Sequence, residues 1–392
     1  MTELELDELK KQIGDELDGL SGKLRELGEK IFENPELKFE EYKAMNWLTE
    51  ALEEKGFSVE REIGGMETSF IGRCPNGSEG PTVAFLCEYD ALPRLGHACG
   101  HNLIATIGLG AGLALCSIMD KLDGQVVVIG TPAEEGGGGK IELVEAGIFD
   151  DVDVAMMVHP SSKTLVGRGS LGVQELTMDF YGKSAHAASQ PEEGINALDA
   201  VISTFNNINA LREHIKESSR IHGVITDGGE KPNIVPDHAA ACFYVRAAEM
   251  GDLEELLKKV KNCAEAGALA AGAELEITEE RTRYCPVEPN PVLVDLFADN
   301  IVNLGEEIEE HEGGMGSTDM GNVSQEVPAI HSYIKIAEEE TPGHSTEFAE
   351  ASNSDKGYSA MVTAAKALAM TGAEVLGNDE NLQAVKKEFK GD

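Results

Sequence analysis

Residues 3 to 32 carry Leu6, Leu9, Ile13, Leu17, Leu20, Leu24, Leu27 and Ile31 at steps of three and four, the apolar stripe of one long helix. Asn34-Pro35 ends that pattern, because proline cannot continue a helix. A second helix is predicted over about 40 to 55, stopping at Gly56. Three apolar runs follow with a different texture: Val83-Ala84-Phe85-Leu86-Cys87, Val126-Val127-Val128-Ile129-Gly130 and Val154-Ala155-Met156-Met157-Val158. They are too short for helices and show no polar alternation, as expected of strands covered on both faces. Helical segments rich in Ala and Gly separate them, notably 101 to 118. Buried strands alternating with helices predict an α/β domain with a mixed, largely parallel sheet.

The pattern changes near residue 172. Gln174 to Phe180 alternates as a half-buried strand, and 194 to 215 is helical. Arg220 to Thr226 and Ala239 to Ala247 read as strands, 251 to 270 as a helix, and Ala273 to Arg281 as a last strand. The order βαββαβ is that of a ferredoxin-like unit. The expected organisation is therefore a first domain over 1–171, an inserted domain over 172–285, and a return to the first domain over 286–392. Gly313 to Asp319 is expected to be a flexible loop, and the acidic stretch after Gly377 a solvated helix.

Composition narrows the function classes. The 392 residues carry 71 acidic and 32 basic side chains, a formal net charge of −39. Such a field repels nucleic acid and anionic membranes. The acids are spread along the chain, so a solvated acidic surface is the plainest reading, and a saline or alkaline habitat is one cause of it. The 41% hydrophobic content is enough to build cores. No apolar run approaches the roughly 20 residues of a membrane span, and the acidic start lacks the layout of a signal peptide. Seven scattered cysteines do not form a disulfide framework, so reduced thiols and a cytoplasmic location are expected.

The candidate chemistry sits where the apolar runs end. Asp90 follows the first, Glu134 and Glu135 follow the second, and His159 closes the third. Open α/β sheets place their sites at strand ends. His97-Ala98-Cys99-Gly100-His101-Asn102 adds a thiol and two imidazoles, and Pro342-Gly343-His344-Ser345 another imidazole. Thiolate, neutral imidazole and carboxylate are the ligands of a zinc-like or manganese-like ion. Taken singly, Cys99 would be a small core residue, His344 a loop histidine and Glu134-Glu135 an exposed turn. Taken together, Cys99, His101 and His159 read as ligands, and the adjacent glutamates divide metal binding from proton transfer. His97 is expected either to orient a ligand from behind or only to pack, with packing favoured. In the inserted domain His186, Asn233 and Arg246 are candidate donors to a carbonyl oxygen and a substrate carboxylate.

Seven motifs in order, Glu-Tyr-Asp-Ala-Leu-Pro (88–93), His-Ala-Cys-Gly-His-Asn (97–102), Pro-Ala-Glu-Glu-Gly (132–136), His-Pro (159–160), Gly-Lys-Ser-Ala-His-Ala-Ala (182–188), Pro-Asn-Ile-Val-Pro (232–236) and Pro-Gly-His-Ser (342–345), resemble the metal-dependent aminoacylase and carboxypeptidase family. That family includes hippurate, indole-acetyl-amino-acid and aminobenzoyl-glutamate hydrolases. The resemblance runs from about residue 20 to 375. Cys-Gly-His-Asn and Gly-Ser-Thr-Asp-Met-Gly-Asn (316–322) are most similar to the aminobenzoyl-glutamate hydrolase and dipeptidase branch. It implies Cys99, His101, Glu135, His159 and His344 as ligands of one or two divalent ions, zinc or manganese. It implies Glu134 as general base, Asp90 as the residue orienting a ligand, and His186 as oxyanion donor, with Asn233 and Arg246 near it. It also implies a metallopeptidase-like catalytic domain, a lid and homodimerisation through the inserted domain, and a small N-acyl amino acid or dipeptide substrate. Two positions depart from the common pattern. Asn102 replaces an Asp, and Glu88 stands where more distant relatives have a metal-binding His. Two alternatives stay open: a hydrolase using Cys99 as nucleophile, and a catalytically silent metabolite-binding protein on the same fold.

Overall fold

The computed structural model describes residues 2–310 and 316–391. It divides into two compact units. The first holds the chain up to Gly169 and again from Val287 onward, except a short segment ending at Thr318. That segment joins Ser170–Pro286 in the second.

The first unit is built on a six-stranded sheet in the order β1 (Ser58–Arg61), β2 (Phe70–Arg73), β4 (Gln125–Gly130), β3 (Thr82–Cys87), β5 (Val154–Ser161), β10 (Ala329–Lys335). The strands from β4 to β10 run parallel; β1 and β2 add an antiparallel edge. The α/β fold with a largely parallel sheet is thus borne out. The apolar runs are unbroken because both faces are covered. Val83, Phe85, Val126, Val128 and Met156 join the core made with α1 (Glu3–Glu33), α2 (Tyr42–Glu54), α3 (His101–Cys116), α7 (Pro291–Asn303) and α10 (Asp355–Gly377). Ala84, Leu86, Val127, Ile129 and Met157 pack on the other face with Leu143 of α4 (Gly139–Glu145) and Val323 of α8 (Met320–Glu326). Buried apolar faces of this kind supply the main favourable term in folding. The last helix, α11 (Asp379–Lys390), buries Leu382 and Val385 and leaves its charges outside.

The second unit is a four-stranded antiparallel sheet, ordered β7 (Arg220–Asp227), β8 (His238–Ala247), β6 (Gly172–Tyr181), β9 (Glu274–Glu279). Helices α5 (Ala197–Leu211) and α6 (Met250–Ala271) cover one face. Accordingly Leu176, Met178 and Phe180 are buried while their neighbours on β6 are not.

Two expectations need correcting. Cys74 and Cys116 are joined in a disulfide, so the thiols are not all reduced. The pair is 42 residues apart in sequence, and only the packing of the β2 end against the α3 end brings its Cα atoms to 5.7 Å. Scattered spacing carries no sign of that. Second, Asp319 does not belong to a flexible loop. It is fully buried at the start of α8 and ion-paired. Residues 313–315 of that segment lie outside the described residues. Among the described residues, no helix is long and apolar enough to cross a membrane.

Candidate metal centre

Each candidate side chain of the first unit is presented by a strand end, a helix start or a tight loop. Beyond β3, Glu88 and Asp90 enter the protein rather than solvent. Gly100, at φ 80°, turns the chain so that α3 begins at His101. This left-handed backbone suits glycine. Asn102 donates from Nδ2 to the Ser352 carbonyl at 3.1 Å, anchoring the helix start. Beyond β4, Ala133 adopts φ 62°, and its N–H donates to Glu41 Oε1 at 3.0 Å. Burial raises Glu41 to about 7. The loop then delivers Glu134 and Glu135 side by side. His344, left-handed at φ 58°, is held by a backbone hydrogen bond from its N–H to the Ala98 carbonyl.

The donor atoms converge. Cys99, His101 and His159 place one donor atom each within 4.8 Å of the others. So do Cys99, Glu135 and His344, and so do His101, Glu134 and Glu135. Cys99 Sγ lies 3.4 Å from His159 Nε2, and Glu135 Oε1 lies 3.4 Å from His344 Nε2. Donors about 2.0–2.3 Å from a shared ion, at a tetrahedral angle, are roughly 3.3–3.8 Å apart. The donor set and its spacing therefore fit a divalent transition-metal ion.

Asp90 fixes the ring orientations. Its Oδ1 is 3.0 Å from His101 Nδ1, and its Oδ2 accepts from the Glu135 N–H at 3.0 Å. This leaves His101 Nε2 facing the other donors. That atom is shut from water and has no hydrogen-bond partner. A carboxylate behind a ligating histidine is the usual way to fix its tautomer. His159 Nδ1 is similarly engaged, 2.6 Å from the Pro160 carbonyl, so Nε2 is the nitrogen turned toward Cys99 Sγ.

Environment separates groups of one type. Burial would raise Asp90, but the charge and hydrogen bond of His101 outweigh it and hold it low. Burial opposes charge on His101, yet Asp90 raises it well above the ordinary histidine range. Burial lowers His159 to about 4, leaving it neutral. The two adjacent glutamates diverge. Burial, then the charges of Glu88 and Asp319, push Glu134 well above the usual range. Burial also acts on Glu135, but His344 and His101 pull it down. The first is suited to carry a proton and the second to remain an anionic donor.

Several residues were not anticipated. Lys140 is fully buried at the start of α4, with Nζ 2.5 Å from Glu88 Oε1 and 2.7 Å from Asp319 Oδ1. Gly139 lets α4 begin this close: a Cβ there would sit 1.9 Å from the Pro132 carbonyl oxygen. His331, buried on β10, stacks edge-on to His159 at 5.7 Å between ring centroids. Parallel pairing of β10 with β5 puts it there. A lysine in a glycine-rich stretch gave no signal beyond its setting. His97 packs, as expected: it is buried beside Phe32, and burial lowers it to about 3.

The remaining candidates belong to the second unit. His186 is exposed, and its Nδ1 accepts from the Ala188 and Ser189 N–H groups at 3.2 Å, leaving Nε2 as the donor. The Asn233 carbonyl accepts from Ala187 N–H, so those two segments lie together. Arg246, on β8, donates from Nη1 to Ser317 Oγ at 2.6 Å and lies over the Tyr244 ring.

Known proteins resemble this chain over most of its length. The mouse Xaa-Arg dipeptidase is 40% identical, covering 98% of this chain and 93% of its own length. One of the polypeptides of the Escherichia coli p-aminobenzoyl-glutamate hydrolase is 35% identical over 69% of this chain and 60% of its own. Among solved structures, a dinuclear metal-binding peptidase of the M20 family from Bacillus subtilis superposes with a TM-score of 0.73 at 19% identity, covering 92% of this chain and 99% of that one. An aminobenzoyl-glutamate utilization protein from Klebsiella pneumoniae gives 0.70 at 19% identity, covering 93% and 98%. Residues 84–367 match the peptidase family M20/M25/M40, and the chain belongs to that family.

Proposed function

We propose that this chain is a metal-dependent amidohydrolase that cleaves the amide bond of a dipeptide or small N-acyl amino acid with a free carboxylate. The observation that carries this reading is the convergence of Cys99, His101, Glu135, His159 and His344 with Glu134 beside them. Those five residues would hold one or two divalent ions, zinc or manganese. A bound ion of this kind polarises a carbonyl and acidifies water. Glu134 accepts the proton of the attacking water on its carboxylate and returns it to the leaving nitrogen. Asp90 holds His101 in the tautomer that leaves Nε2 free. We assign the substrate's carbonyl oxygen to His186, and its carboxylate to Asn233 and Arg246. We assign a homodimer contact to the second unit, whose edge strand β7 exposes Val224 and Ile225.

A dipeptide with a basic C-terminal residue is the favoured substrate. The formal charge of −39 attracts cationic peptides and repels the doubly anionic p-aminobenzoyl-glutamate. The 40% identical relative is named as an Xaa-Arg dipeptidase. A cysteine-nucleophile mechanism is disfavoured. With His101 or His186 as its base, such a mechanism needs a thiolate, and burial raises the Cys99 thiol.

The test is a panel of Xaa-Arg dipeptides, N-acyl amino acids and p-aminobenzoyl-glutamate against metal-loaded enzyme. Glu134→Gln should lower turnover on the best substrate by about a hundredfold or more. Its metal content, measured by elemental analysis, should match wild type. Near-normal turnover in a metal-replete variant would move the proton transfer to another group.

A further inference from the structure

The two carboxylate oxygens of Glu88 have opposite surroundings. Its Oε1 accepts from the Lys140 ammonium at 2.5 Å. Its Oε2, also shut from water, has no hydrogen-bond partner. It lies 3.6 Å from His101 Nε2, another buried atom without a partner. The two atoms face each other as an ion pair without a hydrogen bond, a costly arrangement for buried groups unless something between them supplies the missing interaction. Their separation is that of two donors sharing one transition-metal ion, roughly 3.3–3.8 Å.

Charge points the same way. Glu88 and Asp319 flank the buried ammonium of Lys140, Glu134 lies with them, and Asp90 and Glu135 flank His101. One ammonium shared by Glu88 and Asp319 leaves this end of the centre rich in carboxylate oxygens, which a divalent ion can balance. Lys140 is itself pinned by Asp319 Oδ1 at 2.7 Å, and its backbone N–H donates to Asp319 Oδ2 at 3.0 Å. The Glu88 carboxylate is thus held in one orientation before any ion arrives, as a preformed ligand requires.

We propose that Glu88, clamped through Oε1 by Lys140, donates Oε2 to the metal centre as a further protein ligand beyond Cys99, His101, Glu135, His159 and His344. This rests on the metal-dependent reading above. Glu88→Gln tests it with little change of shape, since the amide oxygen can still accept from Lys140 while the NH2 faces the site and cannot ligate. Zinc and manganese uptake are measured by chelator competition and elemental analysis on the full-length protein, with circular dichroism as a check on folding. The expected result is a loss of one ion per chain, or affinity weakened by roughly tenfold or more, with unchanged folding. Uptake equal to wild type would overturn the proposal while leaving the five-ligand centre standing. Failure of the wild type itself to take up either ion would remove both. An anomalous-difference map of metal-soaked wild-type crystals gives a second reading independent of any variant. An ion within about 2.3 Å of Glu88 Oε2 supports the assignment. Ions held by the other five residues alone, with Glu88 Oε2 beyond bonding distance, reject it.

Discussion

Two histidines, one in each unit, stand between carboxylates and differ in burial and in the nitrogens they leave unused. His101 has Asp90 on Nδ1 and Glu88 and Glu135 around Nε2, with His101, Asp90 and Glu88 fully buried and Glu135 nearly so. His238 has Asp227 on Nδ1 at 3.0 Å and Asp179 on Nε2 at 2.9 Å, with 37% of its side chain exposed. Both are raised in pKa: His101 by Asp90 against the cost of burial, His238 by its two hydrogen bonds. The exposed one uses both nitrogens and has nothing left to offer. The buried one keeps Nε2 in reserve. What marks His101 as a candidate ligand is the nitrogen its surroundings leave without a hydrogen bond, rather than nearby acids or a shifted pKa.

The sharpest way to break that contrast is to remove each ring in turn. His101→Ala should weaken zinc or manganese binding by about a hundredfold or more, the upper end for disturbing a metal site. His238→Ala should leave metal affinity at the wild-type value. Chelator competition on both variants decides it. Equal losses would mean that the first result reflects general loosening rather than a lost ligand.

A smaller effect is expected from acid. Ion and proton compete for the same lone pairs. His344 is raised by its contact with Glu135, and His101 by Asp90, so both keep protons above the ordinary histidine pKa. Lowered to about 4, His159 adds no proton to displace at neutral pH. Metal affinity should therefore fall as pH drops from about 8 to 6, by roughly tenfold per unit or more. Calorimetry in buffers of different ionisation enthalpy should show protons released on binding. A flat profile with no release would mean that both rings are already neutral.

The same contrast explains what the sequence made legible. Short unbroken apolar runs identified the parallel strands β3, β4 and β5, though not β10, and polar residues just beyond them marked the candidate site, because a sheet covered on both faces can display chemistry only at its ends. Alternation identified β6 because one face of its sheet is open. The edge strands β1 and β2, each four residues long, gave too little pattern to find. Lys140 and Asp319 were missed for another reason. A lysine and an aspartate in glycine-rich stretches look solvated, and only the approach of α4 to α8 buries them together. Pairings across 179 residues, like the Cys74–Cys116 bond across 42, belong to tertiary structure and leave no periodic trace.

The smallest effect concerns His238, where the shift should appear only as stability. A histidine raised in the folded state stabilises it below the unfolded pKa of about 6.5, and that contribution is lost as pH rises through the folded value. The ring is partly exposed and its pairs are screened by solvent, so a few tenths of a kcal/mol is the expected scale. Thermal midpoints of wild type and His238→Ala should then differ by about 1 °C or less, and by more at about pH 5.5 than at about pH 8.5. Differential scanning calorimetry of the metal-free proteins would resolve this. A gap of several degrees, or one that widens at alkaline pH, would show that Asp179 and Asp227 hold a buried ring, and the distinction drawn from His101 would fail.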